Sequence, residues 1–224
     1  MGYRLYLLGV FLMALASLAA VACSGGDDGT AKVDDIDLSV LEEGVAASIV
    51  VTSSVFTDGE RIPGKYSCYG LDQSPPISWS GVPDGTKSLA LVSVEPDAPG
   101  GVTWAHWLLY GMPADVTEVP ESMSSTEAQL VGGTHGTNDF NRLGYGGPCS
   151  PRGETNSYLL TVYALDTELD LGSRAKMNDL LEAMSGHLLA RGQLMFTYLQ
   201  RIMGVSPSTR LDIPVTGPSI NRGT

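Results

Sequence analysis

The sequence is poor in basic residues, and this scarcity bounds the function. Its 224 residues contain 13 Lys and Arg against 25 Asp and Glu, a formal net charge of −12 at pH 7, and no run of basic residues. A protein that binds nucleic acid neutralises phosphates with clustered Lys and Arg. The composition therefore argues against a nucleic-acid-binding function.

The usual catalytic motifs are also missing. The chain has no G-x-S-x-G elbow and no H-E-x-x-H pair, and its GYGGP stretch lacks the Lys and the following helix of a phosphate-binding loop. The three histidines, His106, His135 and His187, lie in unrelated contexts. We therefore expect no metal, no cofactor and no enzymatic activity. A hydrolase that uses a His and two nearby acids as general acid and base is the alternative.

Residues 1–23 have the anatomy of an export signal. Arg4 precedes an apolar run, and small residues lead directly to Cys23. The stretch resembles a bacterial lipoprotein signal, which predicts lipidation of Cys23 and a mature chain anchored in the cell envelope, outside the cytoplasm. A retained membrane anchor and ordinary secretion are the alternatives.

The residues that follow divide into a tether, one domain and a tail. Residues 24–45 are rich in Gly and acids and have no aromatic residue, which predicts a flexible tether whose end either forms a helical turn or leads into the first strand. Residues 46–214 are long enough for one domain, and residues 215–224 form a tail. In an oxidising compartment Cys68 and Cys149 would form a disulfide or remain two buried thiols, and the sequence leaves both open.

The hydrophobic pattern of the domain predicts strands and one helix. Residues 47–56, 75–95, 103–113 and 156–166 are β-branched or alternate with period two. Between Lys176 and Arg191, by contrast, apolar residues recur at helical spacing, and strand character returns from residue 192. The pattern predicts an all-β body with one late helix.

Two segments carry the residues that a binding site would need. One, residues 93–107, holds Glu95, Asp97 and His106, and on its pattern alone it reads as a strand end with a core histidine. The other, residues 138–158, is rich in Gly, whose backbone can approach a ligand closely.

These segments resemble the phosphatidylethanolamine-binding protein family, in its bacterial Raf-kinase-inhibitor-like branch. The resemblance lies in the order and spacing of SPPISWSGVPDGTKSLAL, EPDAPGG, WAHW, NDFNRLGYGGPCSPRG, YLLTVYALD and AMSGHLLARGQL. It implies an antiparallel Greek-key β-sandwich with one or two peripheral helices. It also implies a small pocket for an anion or a phospholipid head group, cradled by backbone amides near Gly146, and a cis Ala98–Pro99 peptide bond. The implied pocket residues are Glu95, Asp97, Pro99, His106, Tyr145, Gly146, Pro148, Asn156 and Tyr158.

The chain departs from the family pattern at two of these positions. Glu95 stands where the family has an Asp, and Asn156 where it has a His, beside Ser157 in place of an Arg. Because Asn cannot become cationic, the pocket loses positive charge, and we expect weaker anion affinity or a shift towards a neutral or zwitterionic ligand.

The signal and the family resemblance together predict a membrane-tethered binding module whose partner is a small anion or a phospholipid head group. The alternative is a protein-interaction regulator, such as a protease inhibitor, that contacts its partner through residues 114–137.

Overall fold

The structure is a computed structural model that describes residues 38–123 and 126–200. The predicted signal, its Cys23, the first part of the tether and the tail therefore lie outside the described residues. No helix in the described part is long and apolar enough to cross a membrane.

Four long strands form most of the larger sheet. They are β3 (Ser88–Ala98), β4 (Val102–Pro113), β7 (Thr155–Leu165) and β8 (Leu188–Leu199). With the short β6 (Thr134–His135) they assemble in the order β6-β4-β3-β7-β8, and every neighbouring pair is antiparallel. The central strand β3 is buried from residue 88 to residue 95 on both faces, as its nearly continuous apolar sequence predicts.

A smaller antiparallel sheet lies against the first. It consists of β1 (Val50–Thr52), β2 (Ile77–Ser80) and β5 (Glu118–Val119), in the order β1-β2-β5. Buried residues from both sheets, such as Trp79, Leu91 and Trp107, form one hydrophobic cluster. Because each strand alternates, one face of the larger sheet supplies this core while the other face is free to pack elsewhere. The predicted antiparallel β-sandwich is confirmed.

Two peripheral helices accompany the other face of the larger sheet. Helix α2 (Met177–Met184) buries Leu180 and Met184 against side chains of β3, β4 and β7. Its predicted extent, to Arg191, is wrong: Gly186 has a left-handed φ of 78°, and residues 188–191 pair with β7. Leu188 fits helical spacing, but pairing with a distant strand decides its conformation.

The end of the predicted tether belongs to the folded body. Residues 38–41 form the short helix α1 (Leu38–Leu41), whose two leucines pack on the same cluster as α2. Glu42 then contacts Tyr163, Arg191 and Gln193 on the neighbouring strands β7 and β8. The predicted boundary between residues 45 and 46 is therefore too late, because side chains far along the chain hold this segment.

The two remaining cysteines are joined in the structure. Cys68 and Cys149 form a disulfide across Cα atoms 5.5 Å apart. The bond links the loop that follows a short 3₁₀-helix (Gly64–Tyr66) to the segment that precedes β7. It thereby fixes two loops that lie side by side near the end of the larger sheet.

Candidate functional site

The hairpin that connects β3 to β4 forms one wall of the site. Ala98 pairs with Val102, and the turn between them uses Gly100 and Gly101, both with left-handed φ values of 96° and 72°. The Gly101 N–H donates to Ala98 O over 2.9 Å. The two glycines reverse the chain at this turn. The expected cis Ala98–Pro99 bond is wrong, because every described peptide bond is trans.

A cleft of about 400 Å³ opens between this hairpin and the start of β7. Four of its seven lining residues were predicted from the sequence. The seven together place three carboxylates, one amide and two hydroxyls around the cleft. None of the lining residues is Lys or Arg. The lining residues are Glu95, Asp97, Pro99, Glu154, Thr155, Asn156 and Ser157.

Glu95 lines the cleft, although the residue is only 7% exposed. Oε1 accepts a short hydrogen bond from Asn156 Nδ2, and Oε2 lies 3.6 Å from His106 Nε2. Burial alone would raise the pKa of Glu95, but the contacts with His106 and Asn156 outweigh it and hold that pKa below 4.5. The two residues that depart from the family pattern, Glu95 and Asn156, are therefore hydrogen-bonded to each other.

His106 is buried behind Glu95 and does not line the cleft. Its Nδ1 lies 2.7 Å from Gly146 O, and since a carbonyl oxygen can only accept, Nδ1 carries a proton. The ring packs edge-on against Phe140 and Tyr158, with centroid distances of 5.2 and 5.1 Å. Nε2, which faces the Glu95 carboxylate, is buried and has no hydrogen-bond partner among the described residues.

The remaining predicted residues, Tyr145, Pro148 and Tyr158, do not line the cleft. Tyr158 is buried and exchanges a 2.9 Å hydrogen bond with Ser150, and burial raises the pKa of its hydroxyl strongly. Tyr145 donates to Tyr66 O, and Pro148 O accepts from Cys68 N–H, so neither lines the cleft.

The expected cradle of backbone amides near Gly146 is wrong. The Gly146 N–H donates to His106 O over 2.8 Å, and the Gly147 N–H donates to Asp72 Oδ1 over 2.6 Å. Both amides are therefore already bound within the protein. Gly146 instead contributes its carbonyl, which orients the His106 ring.

Three lining residues were missed: Glu154, Thr155 and Ser157. They surround Asn156 at the start of β7, and Glu154 stands two positions before it. Residues two apart on a strand share a face, so the placement of Asn156 in the pocket was a signal for Glu154.

The other two histidines and the loop proposed for protein contacts lie elsewhere. His135 is a buried residue of β6 that accepts from Trp107 Nε1, and the exposed His187 pairs with Asp166 over 2.8 Å. Within residues 114–137, apart from 124 and 125, β5, β6 and a 3₁₀-helix (Ala128–Val131) hold the chain to the body. A role of this segment in protein binding stays a prediction. Among the described residues no group of His, Cys, Asp or Glu is placed to hold a metal ion.

Comparisons with known proteins agree with this architecture. The sequence model of the family described as "Phosphatidylethanolamine-binding protein" matches residues 52–199. A protein of Methanothermobacter thermautotrophicus, named only as a UPF0098 protein, is 46% identical over 143 residues, which are 64% of this chain and 93% of the relative.

Two solved structures are similar over most of the body. One is a phosphatidylethanolamine-binding protein homologue from Chlamydia trachomatis, with a TM-score of 0.62, 36% identity and coverage of 69% of this chain and 99% of that one. The other is Escherichia coli YbcL, described as a new member of the mammalian family, with a TM-score of 0.64, 33% identity and coverage of 68% and 99%.

Proposed function

Because the chain belongs to the phosphatidylethanolamine-binding protein family, we propose that it is a binding module, not an enzyme, for a small zwitterionic ligand of the phosphate or phospholipid head-group type. The ligand would lie in the cleft between the β3–β4 hairpin and the start of β7. The composition of that cleft is the observation that carries the proposal.

The three carboxylates of the cleft disfavour a purely anionic ligand. Glu95 is ionised at neutral pH, and Asp97 and Glu154 are exposed beside it with no Lys or Arg in the lining. An inorganic phosphate would face like charge on several sides, which costs free energy unless a proton is taken up. A ligand that also carries an ammonium group offsets this repulsion, because the ammonium can lie against Asp97 and Glu154.

The phosphate end of such a ligand would use the donors of residues 155–157 at the start of β7. The hydroxyls of Thr155 and Ser157 are exposed there, and Asn156 supplies an amide. His106 Nε2 stands directly behind Glu95, 3.6 Å from its carboxylate. A ligand oxygen that displaces the Glu95 carboxylate would therefore meet a ring nitrogen already oriented by Gly146.

Calorimetric titration with phosphoethanolamine, inorganic phosphate and ethanolamine, each at pH 6 and pH 8, tests the proposal. We expect phosphoethanolamine to bind more tightly than either of its halves, and His106→Ala to weaken it at least tenfold. His187→Ala, which removes an exposed imidazole far from the cleft in sequence, is the matched control. Tight binding of inorganic phosphate that does not change between the two pH values would contradict the proposal.

The module is proposed to be held at the cell envelope by a lipid on Cys23. This rests on the sequence of residues 1–23 and not on the folded body. If it is correct, Cys23→Ser shifts the protein from the membrane fraction to the soluble fraction of the cells that export it, and an unchanged distribution would count against the anchor.

A further inference from the structure

Two loops beside the site are joined at several points. The loop after the first 3₁₀-helix lies against the segment that contains the Gly146–Gly147 turn. Three hydrogen bonds and the disulfide join residues 66–72 to residues 145–149. These contacts are Gly147 N–H to Asp72 Oδ1 (2.6 Å), Cys68 N–H to Pro148 O (3.1 Å), Tyr145 Oη to Tyr66 O (2.8 Å) and the Cys68–Cys149 bond.

One peptide group in this contact region has partners on both sides. The carbonyl of Gly146 accepts from His106 Nδ1 over 2.7 Å, and the N–H of Gly147 donates to Asp72 Oδ1 over 2.6 Å. Both atoms belong to the same planar peptide unit, so its rotation would move them together. The carboxylate of Asp72 thus holds one edge of the plane whose other edge orients His106.

Close packing leaves this peptide unit little freedom. A Cβ at Gly146 would lie 2.6 Å from the Phe140 ring, and a Cβ at Gly147 would lie 2.2 Å from Tyr66 O. Asp72 itself has a left-handed φ of 53°, a conformation that Asp tolerates better than most residues. Its second oxygen, Oδ2, accepts from Arg142 Nη1 over 2.9 Å.

We infer that Asp72 is a positioning residue for His106, acting through the peptide group of Gly146 and Gly147. Its carboxylate orients and polarises that group, so that the Gly146 carbonyl becomes a stronger acceptor for the Nδ1 proton. The order of contacts is Asp72, the peptide group, His106 and then Glu95 at the wall of the cleft. The site therefore also includes Asp72, a side chain that does not line the cleft.

The test measures the proton on His106 Nδ1 by nuclear magnetic resonance of protein labelled with 15N-histidine, without any ligand. His106→Gln assigns the resonance among the three histidines. Asp72→Asn keeps an oxygen for the Gly147 N–H but removes the charge, so we expect the Nδ1–H proton resonance to move upfield. Asp72→Ala removes the acceptor, and we expect loss of the protonated-type Nδ1 signal. Both outcomes would support the inference.

Arg142→Met is the matched control, because it removes the Asp72–Arg142 pair and leaves Asp72 in contact with Gly147. We expect its Nδ1–H resonance to stay at the wild-type position or to move downfield. A folded Asp72→Asn variant whose Nδ1–H resonance equals that of the wild type would overturn the inference, even if Asp72→Ala fails to fold.

The inference uses the proposed function only to give His106 a purpose, and the two can fail separately. A cleft that binds no phosphoethanolamine would leave the Nδ1 resonances of the Asp72 variants as expected. Conversely, tight binding with unchanged resonances would refute the role of Asp72 and keep the binding function.

Discussion

Two mostly buried glutamates, Glu42 and Glu95, are placed in opposite kinds of environment. Glu42, whose side chain is 12% exposed, receives a 2.6 Å hydrogen bond from Tyr163, lies 3.3 Å from Arg191 Nε and is contacted by Gln193. These partners are permanent donors at neutral pH, since Arg stays charged and burial raises the pKa of Tyr163. The carboxylate is fully occupied within the protein.

Glu95 is held differently, by an amide and beside a histidine rather than by an Arg. Asn156 donates to one oxygen, while the other faces His106 at 3.6 Å, beyond ordinary hydrogen-bond distance. Glu95 also lines a cleft. Glu42 lines neither this cleft nor the separate cavity that its neighbours Leu41 and Glu43 line. The difference indicates that Glu42 stabilises the fold, whereas Glu95 lines a cleft that a ligand can enter.

The largest effect that tests this comparison is the loss of stability in Glu42→Ala. Removing this carboxylate leaves the Tyr163 hydroxyl and the Arg191 guanidinium without their acceptor in a mostly buried place. We expect the free energy of unfolding to fall by about 2–4 kcal/mol. Urea unfolding measures it.

Glu43→Ala is the control for Glu42→Ala, because it removes an adjacent, exposed carboxylate of the same type. Its effect should stay within about 0.5 kcal/mol. Equal losses for the two variants would mean that the contacts of Glu42 with β7 and β8 do not stabilise the fold, and the contrast between Glu42 and Glu95 would no longer hold.

The docking of Glu42 also shows what local sequence could not reveal. Acids and Gly predicted a solvated tether, because no residue near Glu42 in sequence could pair with it; its partners lie more than 120 residues later. Strand alternation, by contrast, is a local signal, and it predicted the four long strands, while the sandwich was implied by the resemblance. The predicted C-terminal end of helix α2 was wrong for the same reason, because residues after Gly186 pair with β7, a strand that is distant in sequence.

The candidate site also has features that the sequence predicted and features that depend on contacts between distant segments. The resemblance brought Glu95, Asp97, Pro99 and Asn156 to one cleft, where the structure also places them. It could not show that Tyr145 and Pro148 contact the disulfide loop instead, because those contacts depend on where that loop lies. Nor could it show that Asn156 and Glu95 bond to each other, since the two departures from the family pattern are separated by 61 residues.

A smaller effect, the pH dependence of stability that Glu95 causes at acid pH, also tests the comparison between the two glutamates. Its pKa in the folded state lies below the ordinary 4.5, owing to His106 and Asn156, against the opposing effect of burial. A lowered pKa in the folded state means that the unfolded state binds a proton first. The stabilisation is therefore complete above pH 4.5 and is lost as the pH falls through the lower, folded-state value.

Glu95→Gln should remove this acid-dependent part of the stability and little else. Gln keeps an oxygen that accepts from Asn156, so at pH 7 we expect the free energy of unfolding to change by less than about 1 kcal/mol. Between pH 4.5 and pH 3 the variant should lose less stability than the wild type in urea unfolding. Glu154→Gln, which neutralises an exposed carboxylate of the same cleft, separates loss of one charge from loss of the contacts with His106 and Asn156. If Glu95→Gln instead lowers the free energy of unfolding at pH 7 as much as Glu42→Ala does, then Glu95 is a structural carboxylate too. Its position at the cleft would then not distinguish it from Glu42.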